Sequence, residues 1–328
     1  MILRNAVSGL ALAVAAIAST ASSAQTSAPA YPARPILLLV PFAAGGSSEL
    51  LSRLVGQKLS ERTGQQVLVE NRPGGAGNIA MEAAARSAPD GYTLILGHIG
   101  TLAVNPAMFP KLPYDPVADF APVSLLAHVP NVVAVHPSVP AKNFREFIAL
   151  AKAKPGSLNY GSAGNGSAGH LAFEYLKQVA GIDLVHVPYK GTGPMTTDLL
   201  AGQTQATFTG APPLIPHIRQ GKLRALAVGS PKRVAGLPDV PTIAESGYPG
   251  FETSQWYGIL APARTPASIV SKLSTEIAAA MHSKDVMDRL GADGTQPVGS
   301  TPEEFALHIK REMARWGEVV RKGRIHAD

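Results

Sequence analysis

The sequence predicts an α/β protein of two lobes, with doubly wound sheets, two chain crossings and a hinged cleft between the lobes. The first observation is a continuous apolar run at residues 36–40, which is typical of a parallel strand buried on both faces. The second is the order strand, helix, strand, helix, strand between residues 36 and 96, which builds one doubly wound half. The third is that this order restarts after a proline-rich stretch at residues 106–122.

Each element of the first half carries its own signal. Apolar residues at helical spacing from Leu50 to Leu59 predict a helix, and Gly64 ends it because glycine readily adopts the left-handed conformation found after helices. A glycine-rich turn at residues 73–75 predicts the end of the second strand, and the sequence Pro-Asp-Gly at residues 89–91 predicts the end of the second helix. The remaining elements predicted for this half are a strand at 67–70, a helix at 80–88 and a strand at 92–96.

The second half repeats the alternation and then returns to the first. Strands are predicted at 132–135, 158–160, 184–187, 205–209, 224–228 and 257–260, and helices at 144–154, 169–180, 194–201, 215–220, 266–281, 286–290 and 301–322. Thr265 and Thr301 each precede a proline, which predicts that the threonine caps a helix and that the proline is its first residue. Glu304 completes a capping box with Thr301. We therefore assign residues 25–130 and 255–328 to lobe 1 and residues 131–254 to lobe 2.

Composition excludes several classes of function. The 328 residues contain no cysteine, which excludes a disulfide scaffold, thiol catalysis and thiolate metal sites. The 29 Lys and Arg against 23 Asp and Glu give a net charge of +6, but the basic residues are scattered without a run. The sequence therefore predicts no nucleic-acid partner, and it contains no metal-binding motif.

The first 24 residues have the pattern of a secretory signal peptide. Arg4 supplies the positive start, residues 6–18 are a short apolar stretch, and Ser22 with Ala24 predicts cleavage after Ala24. Spanning a membrane needs roughly 20 apolar residues, so this segment is too short for an anchor, and no later run is long enough. We expect a protein exported to the periplasm, without stable membrane insertion.

Two glycine-rich segments precede predicted helices and carry the predicted chemistry. One is residues 40–49, after the first strand, and the other is residues 160–167, before the helix at 169–180. Unpaired N–H groups, the helix dipole and short hydroxyls at a helix start favour an anion. Two such cups in facing lobes fit a small molecule with two acceptor ends, such as a dicarboxylate. The alternative is that Ser47, Ser48 and Ser167 only cap their helices.

Further candidate positions lie at the same sheet edges. A third glycine-rich turn at residues 71–78 follows the second strand, and His98 follows the third. Tyr189 and Lys190 follow a strand of the second half, as does Thr209. The alternative to ligand contact is that Tyr189 only packs against its neighbours and that Lys190 only makes the surface soluble.

Ordered motifs occur along nearly all of the mature chain. They are 41–46 (PFAAGG), 70–74 (ENRPG), 89–94 (PDGYTL), 112–116 (LPYDP), 161–167 (GSAGNGS), 186–191 (HVPYKG), 237–242 (LPDVPT) and 258–262 (GILAP). With these motifs the chain resembles the Bug receptors, the substrate-binding proteins of tripartite tricarboxylate transporters. The resemblance implies a two-lobed type II periplasmic-binding-protein fold that closes on a di- or tricarboxylate, an acidic amino acid or an aromatic acid.

The resemblance also implies partners and a set of site residues. It implies membrane permease subunits as partners and a monomer that performs no chemistry and holds no cofactor. Where the family usually carries Asp this chain has Glu49, an acid that still complements the helix dipole. Together with the anion argument, the candidate ligand-binding residues are Phe42, Gly45, Gly46, Ser47, Ser48, Ala76, Ser162, Asn165, Gly166, Ser167, Tyr189 and Thr209.

Other functions remain as alternatives. Gly164 to Gly169 matches G-x-G-x-x-G, but the acid that a dinucleotide site needs is missing from the end of the next strand. A secreted serine hydrolase has no G-x-S-x-G elbow here, although His170 could pair with Ser167. A ligand-sensing protein acting on a receptor would share the same lobes and is distinguished from a transport receptor by its partner.

Overall fold

The computed structural model describes residues 31–323 and 325, so the predicted signal peptide lies outside the described residues. The strands are β1 (Ile36–Val40), β2 (Val67–Asn71), β3 (Thr93–His98), β4 (Phe120–Val135), β5 (Asn159–Ser162), β6 (Val185–Pro188), β7 (Ala206–Gly210), β8 (Arg224–Val228), β9 (Ser254–Pro262) and β10 (Gln296–Pro297). The helices are α1 (Ser47–Thr63), α2 (Asn78–Ala85), α3 (Asn105–Met108), α4 (Phe144–Ala153), α5 (Ala168–Ala180), α6 (Thr192–Leu200), α7 (Ile215–Arg219), α8 (Ala267–Met281), α9 (Lys284–Ala292) and α10 (Pro302–Gly323).

The strands form two groups that share β4. The first has the order β2-β1-β3-β9-β4-β10, in which β1, β2 and β3 are parallel and β9 is antiparallel to both neighbours. The second has the order β6-β5-β7-β4-β8, in which β5, β6 and β7 are parallel. Parallel strands whose crossovers are helices bring their carboxyl ends to one edge, which is where open α/β sheets bind ligands.

The chain passes from the first group to the second inside β4. Pro130 is the last residue paired with β9, opposite Ser254, and Asn131 is the first paired with β7, opposite Gly210. It returns after β8, where the Thr253 N–H donates to the Gly229 carbonyl 2.8 Å away just before β9 begins. The assignment of residues 131–254 to a separate lobe stays a prediction.

The long strand β4 corrects the sequence prediction, which placed a strand only at residues 132–135. The strand begins twelve residues earlier, at Phe120. Pro122 and Pro130 concealed it, because proline donates no ladder hydrogen bond and normally argues against a central strand. The pairing with β9 shifts register just after Pro122, and the Pro130 carbonyl accepts from the Ala211 N–H at 2.9 Å.

Two shorter corrections concern helix starts and small elements. Thr265 does not cap α8, because its hydroxyl donates to the Pro262 carbonyl at 2.7 Å and the helix begins after Pro266. The capping box of α10 is confirmed, since the Glu304 N–H donates to Thr301 Oγ1 at 3.2 Å and the Thr301 N–H to Glu304 Oε2 at 2.9 Å. The sequence also missed α3, β10 and the wide helical turn Gly100–Val104.

The C-terminal helix α10 packs on the first group of strands. Phe305, Ile309 and Trp316 of α10 join the same buried apolar cluster as Trp256 of β9. Glu312 lies at the edge of this contact and accepts from the indole N–H groups of Trp256 at 2.8 Å and Trp316 at 3.1 Å. Along residues 31–323 and 325, no helix is both long enough and apolar enough to cross a membrane.

Replacing Gly258 by Ala tests this packing. A Cβ at Gly258 would lie 2.2 Å from Phe305 Cζ and 2.8 Å from the Ser124 carbonyl oxygen, so the ring of α10 must move away from β9. We expect the free energy of unfolding to fall by about 1–3 kcal/mol, measured by urea titration.

Gly291→Ala is the matched control for this substitution. Gly291 lies in α9 and a Cβ there would meet nothing within 4 Å, so we expect no loss of stability. Equal urea midpoints for the Gly258→Ala variant and the unchanged protein would contradict the packing argument.

Candidate functional site

A small polar cavity lies where the carboxyl ends of β1, β3, β5 and β7 meet, and we call it the inner chamber. Its volume is about 20 Å³, and Phe42, Ala163, Ala168 and Gly169 form part of its wall. The polar residues that line it are Ser48, His98, Ser167, Thr192, Thr209, Gln255 and Tyr257. A water molecule needs about 10–15 Å³ of such space, so the inner chamber has room for one small polar group.

Three helix N-termini converge on the inner chamber. Ser48 is the second residue of α1, Ser167 is the N-cap of α5, and Thr192 is the first residue of α6. The first N–H groups of a helix have no partner within the helix, and its dipole favours negative charge at this end. The inner chamber therefore combines three positive dipole ends with short hydroxyls.

Hydrogen bonds fix the two side chains that β9 contributes. Gln255 Nε2 donates to Asn131 Oδ1 at 2.7 Å, and the Tyr257 hydroxyl donates to Gln255 Oε1. Burial raises the pKa of Tyr257, so its hydroxyl stays protonated. The floor of the chamber is thus an ordered, uncharged network that joins β9 to β4.

His98 is an uncharged donor in the same wall. Burial lowers the pKa of His98 to about 4, so the ring is neutral near pH 7. Its Nδ1 accepts from the Thr101 N–H at 3.1 Å, which places the remaining proton on Nε2. The ring also stacks on Phe42 with the centroids 4.5 Å apart. No Lys or Arg of the described residues lines the inner chamber.

A second cavity of about 330 Å³, which we call the outer chamber, shares Phe42 and Ala163 with the inner one. Its wall is mostly apolar side chains and glycine backbone, and the Tyr189 hydroxyl donates to Asp198 Oδ2 at 2.7 Å. Its other lining residues are Gly74, Gly75, Ala76, Gly77, Phe109, Gly164, Asn165, Pro188 and Lys190.

The turn at residues 74–77 brings backbone close to the outer chamber. Ala76 has a φ of 56°, in the left-handed region that alanine seldom adopts, and Asn105 Nδ2 donates to its carbonyl at 3.1 Å. A Cβ at Gly77 would lie 2.7 Å from Thr101 Cγ2. The turn therefore needs glycine at position 77 and is held in place by its neighbours.

The structure separates the predicted site residues into two sets. Among them, Phe42, Ser48, Ser167 and Thr209 line the inner chamber, and Phe42, Ala76, Asn165 and Tyr189 line the outer one. The residues that line neither are Gly45, Gly46, Ser47, Ser162 and Gly166. They lie within a few residues of the lining residues, in the same turns or at the ends of the adjoining elements.

The contact between two of these loops depends on the absence of side chains. A Cβ at Gly193, in the first turn of α6, would lie 2.2 Å from the Ala44 carbonyl oxygen. Beside it, the Ala43 N–H donates to the Lys190 carbonyl at 3.1 Å. The loop before α1 and the start of α6 thus approach closely because glycine stands at the points of contact.

Ser162 is fully buried and is used inside the protein. Its Oγ lies 2.7 Å from His186 Nε2 and accepts from the Gly164 N–H at 3.1 Å. His186 stacks on His170 with the ring centroids 4.2 Å apart, and His170 Nδ1 accepts from the Gly166 N–H at 3.2 Å. These contacts organise the loop that presents Asn165 and Ser167.

The Ser167–His170 pair that a hydrolase would need is not formed by the imidazole. The backbone N–H of His170 donates to Ser167 Oγ at 3.3 Å, which is a helix cap, while its ring nitrogen Nδ1 faces Gly166. Among the described residues, no group of three or more His, Asp and Glu is arranged to hold a metal ion.

Glu49 folds back on its own helix start. Its carboxylate accepts from the Gly45 N–H at 2.7 Å and from Arg53 Nε at 2.7 Å. Although burial acts to raise it, these two partners lower the pKa of Glu49 overall. Glu49 lines neither chamber, so its extra methylene relative to aspartate is used to complete the turn before α1.

Sequence reasoning missed Phe109 of the outer chamber and three of the polar residues that line the inner chamber. Thr192 follows Gly191 in the loop after β6, which is a further glycine-bearing helix start beside those at residues 40–49, 71–78 and 160–167 and was visible as such in the sequence. Gln255 and Tyr257 had no local signal, because they lie inside a strand whose neighbours are set by the return of the chain.

A larger cavity of about 540 Å³ lies away from the three helix N-termini, between β4, β9, α10 and residues 230–234. Much of its charge is already paired, since Arg233 lies 3.0 Å from Glu245 and Arg315 lies 3.7 Å from Glu312. Burial lowers the pKa of both His128 and His308 in its wall. Size alone therefore does not make it the better candidate for an anion.

Comparison with known proteins identifies the relatives of this chain. The family model described as "Tripartite tricarboxylate transporter family receptor" matches residues 51–325. Protein BugT of Bordetella pertussis is 40% identical over 290 residues, which cover 88% of this chain and 89% of BugT.

Two solved structures show the same fold. One, described as a periplasmic transporter, has a TM-score of 0.88 and 45% identity and covers 91% of this chain and 100% of its own. The other, Rpa4515 of R. palustris with adipate, has a TM-score of 0.88 and 39% identity, with 90% and 99% covered. These likenesses confirm the predicted family resemblance and the two-lobed α/β fold.

The neutral histidines predict how stability depends on pH. Burial lowers the pKa of His98 and of His170 to about 4 in the folded chain. Between about pH 6.5 and 4 these histidines bind more protons in the unfolded chain than in the folded chain. Their contribution to stability is therefore complete above pH 6.5 and is lost as the pH falls towards 4. We expect the free energy of unfolding to fall by up to about 3 kcal/mol for His98 across this range.

Urea unfolding at several pH values, with His98→Gln for comparison, measures this loss. The difference between the two proteins should shrink as the pH falls, because the variant lacks the group that resists protonation. Parallel curves from pH 7 to pH 4 would show that His98 does not titrate with a lowered pKa.

Proposed function

This chain belongs to the tripartite tricarboxylate transporter receptor family, and on that premise we propose that it is a periplasmic receptor for a small carboxylate. We propose that the two lobes, residues 25–130 with 255–328 and residues 131–254, close on the ligand. The change of strand partners between Pro130 and Asn131 supports this division.

The observation that carries the proposal is the set of uncharged donors around the inner chamber. Three helix N-termini meet there, with hydroxyls from Ser48, Ser167, Thr192 and Thr209 and no cation among the described lining residues. A carboxylate is the small group that matches this arrangement, because each charge-assisted hydrogen bond to it contributes about 1.5–3 kcal/mol. A neutral ligand would gain much less from the dipoles.

The remaining predicted residues support the site indirectly. We propose that Gly45, Gly46, Ser47, Ser162 and Gly166 hold the loops whose neighbours touch the ligand. Closure would be stabilised by the backbone contact between the loop before α1 and the loop before α6. A ligand that bridges these loops has higher affinity for the closed state and shifts the population towards it.

We propose further that the receptor delivers its ligand to membrane permease subunits, acts as a monomer and performs no chemistry. The family description, with its transporter and receptor, supports the partner. The relative Rpa4515 was solved with adipate, a dicarboxylate, which supports the ligand class. A sensing role would share these lobes and would be distinguished by a partner other than a permease.

A calorimetric screen of the exported chain tests the ligand class. We expect at least one of the dicarboxylates, tricarboxylates, acidic amino acids or aromatic acids to bind, and the same ligand to raise the melting temperature, because it binds only the folded state. Binding of neutral amides of these acids with equal affinity, or of none of the acids, would overturn the proposal.

Thr192→Ala tests the third helix start. The variant removes one hydroxyl from the inner chamber, so we expect the carboxylate Kd to rise by about tenfold or more, as for a hydrogen bond to a charged group. Isothermal titration calorimetry with the ligand from the screen measures the change.

Thr197→Ala is its matched control on the same helix. Thr197 is exposed, and its hydroxyl donates to the Gly193 carbonyl at 3.3 Å, outside both chambers. We expect its Kd to be unchanged. Equal Kd values for the two variants would remove Thr192 from the site.

A further inference from the structure

We propose that the cavity of about 540 Å³ between β4, β9, α10 and residues 230–234, which we call the α10 cavity, is a second ligand site. Its ligand is a zwitterion in which an aromatic or apolar body holds a carboxylate and an ammonium group apart. This site is separate from the carboxylate site proposed above, and the shape and charges of its wall determine the class of ligand.

Strand β9 has one cavity on each of its faces. Successive side chains of a strand point to opposite sides. In the sequence Ser-Gln-Trp-Tyr at residues 254–257, the first and third residues line the α10 cavity, and the second and fourth line the inner chamber. Among the described residues, none lines both the α10 cavity and one of the two chambers. Its volume lies within the range of about 300–1,000 Å³ that is usual for small-molecule sites.

Two of the three cations in the wall of the α10 cavity are already held by carboxylates. Arg233 Nε lies 3.0 Å from Glu245 Oε2, and Arg315 Nη1 lies 3.7 Å from Glu312 Oε1. Glu312 also accepts from two indole N–H groups, so its carboxylate is used inside the protein. These groups contribute little net charge towards a ligand.

Lys232 and Glu252 are the two charged side chains of this wall that have no ion-pair partner among the described residues. Their backbones are held in place, because Ser230 Oγ donates to the Lys232 carbonyl at 2.7 Å and Arg315 Nη2 donates to the Glu252 carbonyl at 3.2 Å. Since the two side chains do not pair with each other, a molecule that meets both must carry a carboxylate and an ammonium group apart.

Aromatic rings in the same wall favour the body of such a molecule. The ring centroids of His128 and His308 are 5.4 Å apart, and the His308 ring lies 4.7 Å from that of Trp256. Burial lowers the pKa of both histidines, that of His308 to about 4, so both rings are neutral near pH 7. Uncharged rings pack against an aromatic or apolar body and add no charge that the ligand would have to balance.

Tryptophan fluorescence reports on this cavity separately from the two chambers. The chain contains two tryptophans, Trp256 in the wall of the α10 cavity and Trp316 bonded to the same Glu312. Neither lines the inner or the outer chamber. A ligand in the α10 cavity lies against Trp256 and therefore changes its emission.

The probes are two zwitterions and their single-charge analogues. 4-(Aminomethyl)benzoate is the rigid zwitterion, with 4-methylbenzoate as its acid analogue and 4-methylbenzylamine as its amine analogue. 6-Aminohexanoate is the flexible one, with hexanoate and hexylamine as its analogues. Each analogue keeps the body of the ligand and lacks one charged group.

Two variants remove the matching charges from the protein. Lys232→Met removes the ammonium group of the wall, and Glu252→Gln removes its carboxylate. Both side chains are exposed, so the fold does not depend on their burial. Lys222→Met and Glu303→Gln are the matched controls, because each replaces an exposed charge that lines none of the three cavities.

We expect the unchanged protein and both controls to bind at least one zwitterion about fivefold more tightly than either of its analogues, with a change in tryptophan emission. Lys232→Met should bind the zwitterion no more tightly than the amine analogue, because the carboxylate has lost its partner. Glu252→Gln should bind it no more tightly than the acid analogue. Thr192→Ala, in the inner chamber, should leave the Kd of the zwitterion unchanged.

Three results would overturn the inference. The first is that neither zwitterion binds, or that one binds without changing the tryptophan emission. The second is that the analogues bind as tightly as the zwitterions, so that the charges of the wall select nothing. The third is that Thr192→Ala weakens the zwitterion while Lys232→Met and Glu252→Gln do not, which would place it in the inner chamber. All three leave the proposed carboxylate receptor standing, since that function depends on other residues and is tested with other ligands.

Discussion

The proposed site depends on one electrostatic constraint, which is that a negative charge in the inner chamber would have to be compensated without a cation, because no Lys or Arg of the described residues lines it. The inner chamber meets this constraint with backbone N–H groups, hydroxyls and helix dipoles, all of which are fixed before any ligand arrives. Neutral donors need no counter-ion when the site is empty. The chamber therefore buries no unpaired charge among the described residues that line it.

Close backbone approach follows from that constraint. Three helix N-termini can share about 20 Å³ only if the loops in front of them carry little side-chain bulk. Gly193 against Ala44 and Gly77 against Thr101 are the places where a Cβ would separate the parts. Ser162 lines neither chamber, and its hydrogen bond to His186 stabilises the loop that follows it. The close packing of these loops is thus what brings the three helix N-termini together at the inner chamber.

The shared strands connect the site to the crossing between the two groups. Gln255 of β9 lines the chamber and bonds to Asn131 of β4, at the point where β4 changes partners. One hydrogen bond therefore joins the chamber to the segment of β4 at which the strand partners change.

Local signals in the sequence determined most of the elements and several of the residues that line the two chambers. Apolar runs, helical spacing and glycine-rich starts predicted β1, α1, β5 and α5, because each of these is a property of neighbouring residues. The same starts predicted Ser48 and Ser167 as anion contacts, and both line the inner chamber. Only the tertiary structure decided the rest. Pro122 and Pro130 disguised β4, which is a strand because partners far along the chain pair with it. Gln255 and Tyr257 became part of the site for the same reason: the chain returns through β9, and no short stretch of sequence records where it returns.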